Sequence, residues 1–106
     1  MSKIIYCIAQ FTPKAGKMDT LFNVLKNLEP NTLREEGCLN YRVTQQIKNS
    51  FAEGKSMPIV FNEAWATVED FEKHCQSKVV VDFFERECLS EDGLVESYNV
   101  TAYMDE

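Results

Sequence analysis

The chain has 106 residues, 44% hydrophobic and 26% charged, a composition that excludes disorder, collagen and coiled-coil arrays and suffices for one core without disulfide staples. Eleven Lys+Arg against seventeen Asp+Glu leave a formal charge of -6 with no basic run, which argues against nucleic acid as a partner. No apolar stretch approaches the roughly 18 residues of a membrane span. Met1-Ser2-Lys3 leads straight into an apolar strand pattern, with no signal-peptide core. A single cytoplasmic domain over residues 1–106 with no membrane contact is therefore expected. Cys7, Cys38, Cys75 and Cys88 lie far apart with no C-x-x-C pair, the spacing of free thiols and not of a disulfide or a zinc site.

Lys3 to Phe11 is β-branched and aromatic, and its near-continuous apolarity predicts a central strand buried on both faces. Pro13 to Gly16 punctuate it. Met18, Leu21, Phe22, Leu25 and Leu28 then fall at the spacing of an amphipathic helix, which Pro30 kinks or ends. One further turn is expected within Asn31 to Glu36, closed by Gly37 in the left-handed conformation. Cys38 to about Ile47 alternates as a half-buried strand with Leu39, Tyr41 and Val43 on one face. Lys48 to Met57 is a long polar loop whose Phe51 is expected either as a lid or packed back onto the sheet.

Ile59 to Ala66 reads as a third strand, with Ile59, Phe61, Glu63 and Trp65 on one face and Val60, Asn62 and Ala64 on the other. Thr67-Val68-Glu69-Asp70 is a helix start signal for a helix through Phe71 and His74. Ser77 starts a second helix, carrying Val80, Phe83, Phe84 and Cys88 and closed by Gly93. Leu94 to Met104 alternates as a last strand with aromatics on both faces: Tyr98, Val100 and Ala102 on one, Val95 and Tyr103 on the other. The order βαββααβ is that of a split βαβ fold, an antiparallel sheet with helices on one face. Its other face is expected to be apolar and covered by a second copy, which makes a homodimer.

The chemistry-bearing residues are few. There is no phosphate loop and no nucleophile elbow, and with one histidine no multi-histidine metal site forms within a chain. What remains is Tyr41, Asn62, Glu63, Trp65 and His74. His74 is the only side chain that ordinarily titrates near neutrality and is the candidate to take a phenolic proton; the alternative is an ordinary solvent-facing or satisfied histidine. A carboxyl at Glu63 in a buried strand needs a partner or a raised pKa, whether it serves a cavity or a structural hydrogen bond. Trp65 offers a flat wall and one N–H donor, or plain core packing. Tyr41 can donate to a substrate oxygen or pack. Asn62 has the opposite parity to Glu63 and Trp65, so it joins them only through a bulge or a dimer contact.

The segment Leu33-Arg34-Glu35-Glu36-Gly37-Cys38-Leu39-Asn40-Tyr41, then Asn62-Glu63-Ala64-Trp65 and Phe71-Glu72-Lys73-His74, resembles the antibiotic biosynthesis monooxygenase (ABM) domain, closest to its quinol monooxygenase-like branch. The resemblance covers nearly the whole chain. It implies a dimeric α+β barrel of ferredoxin-like protomers, each with a pocket between sheet and helices. Some members oxygenate phenols or quinols with molecular oxygen and no metal, flavin or haem; others isomerise a signalling sugar phosphate, degrade haem or have no established activity. Many members carry a second histidine where this chain has Val79 or Val80, and the places compared with the haem-degrading branch hold His74 and Phe84, which disfavours haem.

The resemblance implies an enzyme without cofactors that acts on a small aromatic substrate and oxygen, with His74 and Glu63 catalytic and Tyr41, Asn62 and Trp65 binding substrate. Two other readings stand beside it. One is an isomerase of a phosphorylated carbonyl compound, with Arg42 and Lys73 as candidate phosphate anchors. The other is a stress-associated dimer that binds an aromatic ligand without turnover.

Overall fold

Ile5, Cys7, Ala9 and Phe11 alternate with less buried neighbours along β1 (Ile5–Pro13), and that alternation sets the whole architecture. The computed structural model describes residues 3–105; Met1, Ser2 and Glu106, at the ends of the expected domain, lie outside the described residues. After β1 come α1 (Met18–Lys26), α2 (Glu29–Thr32), β2 (Cys38–Gln45), β3 (Ile59–Trp65), α3 (Val68–Cys75), α4 (Lys78–Phe83), a π-helical turn (Phe84–Leu89) and β4 (Val95–Met104). The strands form one sheet in the order β2-β3-β1-β4, every neighbouring pair antiparallel. This is a ferredoxin-like α+β fold.

Helix-facing side chains make the core: Ile5, Cys7 and Phe11 from β1, Leu21 and Leu25 from α1, Phe61 and Trp65 from β3, with Phe83 closing it from α4. The central position of β1 is as expected, but its second face is not sealed, and Tyr6 there is 41% exposed. The same face carries Gln10, Arg42, Asn62, Asn99 and Thr101 beside Ile8, Val60 and Tyr103, by the register of the strands. It is a mixed polar surface and not the apolar one expected from the sequence.

Two bulges change side-chain parity. At the start of β2 Cys38 pairs with Trp65 and Asn40 with Ala64, so Leu39 is the extra residue and stands 55% exposed instead of sharing a face with Tyr41 and Val43. Between β1 and β4 the register shifts at Thr12/Pro13, which brings Val95 to the helix side with Tyr98 and away from Tyr103. Period-two reading cannot foresee an inserted residue.

Pro30 does not kink the first helix. It lies in the first turn of α2, where a missing N–H breaks no helical bond. The buried Glu29 beside it accepts from Val43 N at 2.8 Å and pairs with Lys26 at 3.0 Å, which pins the outer edge of β2 to the helical layer. Gly37 has φ +80 as expected, and a methyl there would collide with the Asp70 side chain. Gly37→Ala should therefore lower stability by about 1–3 kcal/mol, read as a fall in the urea midpoint; an unchanged midpoint would show that the turn relaxes freely.

Thr67 Oγ1 accepts from Asp70 N at 3.0 Å, the expected cap of α3. The apolar spacing predicts a regular last helix through Cys88, closed by Gly93; it widens instead into the π-helical turn and ends at Leu89. Gly93 does not close it in a left-handed conformation. Its role is spatial, since a Cβ would meet the Glu87 carbonyl. Phe51, at the tip of the β2–β3 loop, is 98% exposed and does not pack back onto the sheet. Among the described residues no helix is long and apolar enough to cross a membrane.

Candidate functional site

The inner face of β3 carries Phe61, Glu63 and Trp65, because a strand sends every second side chain the same way. The bulge at Leu39 brings Tyr41 of β2 onto that side, opposite Glu63. Two turns after its Thr67 cap, α3 lays Phe71, His74 and Cys75 over the sheet. These elements border a cavity of about 50 Å³ whose walls are mostly carbon, from Phe11, Leu25, Phe61, Phe83, Phe84 and Val100. Tyr41, Glu63 and His74 supply its polar groups, with the thiols of Cys7 and Cys75. No lysine or arginine lines it among the described residues.

His74 is 4% exposed. Its ring lies 4.6 Å from the Trp65 ring and 5.3 Å from that of Tyr41, centroid to centroid. Its Nδ1 is 2.9 Å from Oε1 of Glu35, a residue of the turn between α2 and β2. A carboxylate only accepts, so this contact places the ring proton on Nδ1 and leaves a lone pair on Nε2. Burial pushes the histidine below its ordinary 6.5, opposed by the Glu35 hydrogen bond and charge. A neutral imidazole at physiological pH results.

Glu63 moves the other way. Burial lifts its carboxyl from the usual 4.5 to about 7, against hydrogen bonds from Trp65 and Cys7 that hold it down, and the Glu35 charge adds to the rise. Trp65 Nε1 donates to its Oε1 at 3.0 Å. Burial and then the Glu63 charge push the Tyr41 hydroxyl upward, opposed by a hydrogen bond with Thr32, so it stays a phenol. Burial keeps the Cys75 thiol protonated, at about 11, and pushes Cys7 higher still. All four cysteines are free. Among the described residues no group of three or more His, Cys, Asp or Glu side chains could hold a metal ion.

Of the residues singled out from the sequence, His74, Glu63 and Tyr41 converge on this cavity. Trp65 does not line it; fully buried, it serves through its N–H to Glu63. Asn62 is on the opposite face of the sheet, where Nδ2 donates to Thr44 Oγ1 at 3.2 Å, because no bulge interrupts β3 near it. Arg42 is also on that face, opposite Asn62. Lys73 is largely exposed beside Glu36. Sequence reasoning missed Glu35 as the partner of His74: 39 residues separate them, and no periodicity reports a contact made through a turn.

A model of the family described as antibiotic biosynthesis monooxygenase matches residues 4–86. The structure of protein SO0527 from Shewanella oneidensis is similar at TM-score 0.79 and 28% identity, over 99% of this chain and 93% of that one. PA3566 from Pseudomonas aeruginosa superposes at TM-score 0.77 with 21% identity, over 100% and 97%. A Dabb family protein with a ferredoxin-like fold from Mesorhizobium loti does so at 0.72 with 15% identity, over 99% of each chain. The last two likenesses are of fold alone. No functionally curated protein gives a significant match.

Proposed function

Because the chain belongs to the antibiotic biosynthesis monooxygenase family, we propose that it oxygenates a small phenol or quinol without metal, flavin or haem. One observation carries this reading: a buried carboxyl raised toward neutrality and a buried imidazole held neutral line the same carbon-walled cavity. Groups whose environments push their pKa values in opposite directions divide acid from base work.

His74, its tautomer fixed by Glu35, accepts the substrate's hydroxyl proton at Nε2. Glu63 in its acid form donates a hydrogen bond to the oxygen that becomes negative, the part that Asn62 cannot take from the far face and Trp65 has already committed to Glu63. Tyr41 and Phe61, with ring centroids 4.4 Å apart, form the wall on which the substrate ring rests. The electron-rich phenolate then reduces oxygen. For a hydroquinone the balance is hydroquinone plus O₂ to hydroxyquinone plus water, and the substrate supplies every electron. The cavity lies far below the roughly 300–1,000 Å³ of a drug-sized pocket, which favours a substrate with one ring.

Among the described residues no cation lines the cavity, which disfavours the phosphorylated-carbonyl isomerase, whose anchors Arg42 and Lys73 stand elsewhere. Oxygen uptake over a panel of one-ring hydroquinones, with metals and flavin removed, tests the proposal. Uptake with an ¹⁸O atom entering the product is expected; turnover of a carbonyl phosphate without oxygen would establish the isomerase, and tight binding with neither reaction the non-catalytic reading.

The working unit in this reading is a homodimer packed through the open sheet face, within one domain of residues 1–106. Tyr6, Ile8, Val60 and Tyr103 are the apolar side chains that this face offers a partner among polar ones. Sedimentation equilibrium at micromolar concentration should give a dimer, and Tyr103→Asp should shift it toward monomer, since a desolvated unpaired charge costs about several kcal/mol. A wild-type monomer would refute the dimer, and a Tyr103→Asp dimer this choice of face.

A further inference from the structure

His74 lines two spaces, and the residues around them differ in kind. On one side is the apolar cavity; on the other is an outer pocket of about 250 Å³ lined by Glu35, Glu36, Asp70, Lys73 and Ser77 as well as His74 itself. Glu35 reaches from the outer pocket to His74 Nδ1, and its side chain is 29% exposed while that of His74 is 5% exposed. The pair therefore joins a buried ring that lines the cavity to a carboxyl that water reaches. Ser77 Oγ, in the same outer pocket, is buried with no protein partner, and a buried hydroxyl is normally satisfied by water when the protein supplies nothing.

A reaction that begins by ionising a substrate inside an apolar cavity has a proton to dispose of. The other groups facing His74 serve this poorly. Tyr41 and Cys7 are buried and held protonated, Glu63 lines the same cavity as the substrate, and the Trp65 N–H is engaged. Cys75, the next residue on α3, is likewise a protonated thiol. In the outer pocket Lys73 is near Glu36 at 4.0 Å and Asp70 carries the α3 cap contact through its backbone. Among the described residues only Glu35 bonds to the ring and also meets the solvent.

We propose that His74 and Glu35 form a proton conduit through the wall between the two pockets, with Glu35 as its positioning and relay residue and the outer pocket as its wet exit. Nε2 gains the proton of the substrate hydroxyl as Nδ1 passes its own to Glu35 Oε1, which releases it to water; the ring is left as the Nε2–H tautomer. The reverse hops return a proton when an oxygen-derived anion in the cavity needs one, and restore Nδ1–H. One proton leaves and one comes back per cycle. This rests on the oxygenation reading for its purpose, but the geometry it asserts is tested without substrate.

Histidine ¹⁵N spectra of the full chain at neutral pH should show Nδ1–H in the wild type and in Glu35→Asp, and a shift toward Nε2–H in Glu35→Leu, which offers Nδ1 no acceptor. An unchanged Nδ1–H in Glu35→Leu overturns the inference whatever the activity. With a hydroquinone that the wild type oxidises, Glu35→Leu should lose about 10²-fold or more in turnover, the effect of a wrong tautomer. Added formate should restore part of it, while Glu35→Asp should stay close to wild type. Loss without rescue overturns the relay, since a purely orienting carboxylate gives no proton path to a small acid. If no hydroquinone is oxidised, the oxygenation reading fails and the tautomer spectra alone decide the conduit.

Discussion

His74→Ala is expected to lower hydroquinone-dependent oxygen uptake by about 10²–10⁴-fold, the range supplied by a positioned general base. The imidazole is the only group in the cavity that combines a neutral basic nitrogen with a fixed tautomer. Removing it also leaves a hole against the Trp65 and Tyr41 rings, so the variant will be less stable, and its folded fraction is to be checked by circular dichroism. The hole provides the control: imidazole added to the folded variant should fill it and restore part of the rate. A His74→Ala enzyme as fast as the wild type would remove His74 from the chemistry.

Glu63→Gln produces the second large effect, on stability as well as on rate. In the fold Glu63 titrates near 7 instead of 4.5, so the folded state binds this proton more tightly than the unfolded chain. Its contribution is fully favourable below about pH 4.5, declines as pH rises and is lost through pH 7. The full difference is about 3 kcal/mol at about 1.4 kcal/mol per pH unit. Gln keeps an acceptor for Trp65 Nε1 and cannot ionise. Glu63→Gln should therefore be more stable than the wild type at pH 8 by a large part of that amount, and lose the advantage near pH 4.5. Urea unfolding of both proteins at the two pH values checks this; an equal difference at both would show that the carboxyl is not desolvated.

His74 acts with the opposite sign. Its lowered pKa leaves stability intact at high pH and removes it as pH falls below 6.5. Activity needs Glu63 protonated and His74 neutral, so its pH profile should be a bell with its alkaline limb near 7, the limbs belonging to the pair as a unit. In Glu63→Gln the alkaline limb should disappear and the rate fall.

The element order and β3 were legible because both rest on local signals: strand and helix periods, the Thr67 cap, the glycine at 37. The face shared by Glu63 and Trp65 followed from parity alone, and so did the separation of Asn62 from them. What failed did so where one residue was inserted or one turn loosened. The bulges at Leu39 and Glu96 each displace a side-chain set, and the π-helical turn replaces the regular helix that the apolar spacing of Val80, Phe83, Phe84 and Cys88 implies. The polar character of the open face is written in the sequence as Gln10, Arg42, Asn62 and Asn99, but it becomes a face only when the strands are in register. Glu35 was visible as a residue and invisible as a partner, since its meeting with His74 depends on how α2, the turn at Gly37 and α3 stack.

A cavity in the sheet-helix layer holds a carboxyl that keeps a large share of its proton at neutral pH, beside a neutral imidazole. Carboxyl ¹³C shifts of glutamate-labelled protein, followed from pH 4 to 9 with Glu63→Gln identifying the resonance, test it most directly. An inflection near pH 7 for Glu63 is the predicted result. An inflection near 4.5, the value of a carboxyl in water, would contradict it and with it the division of acid and base between Glu63 and His74.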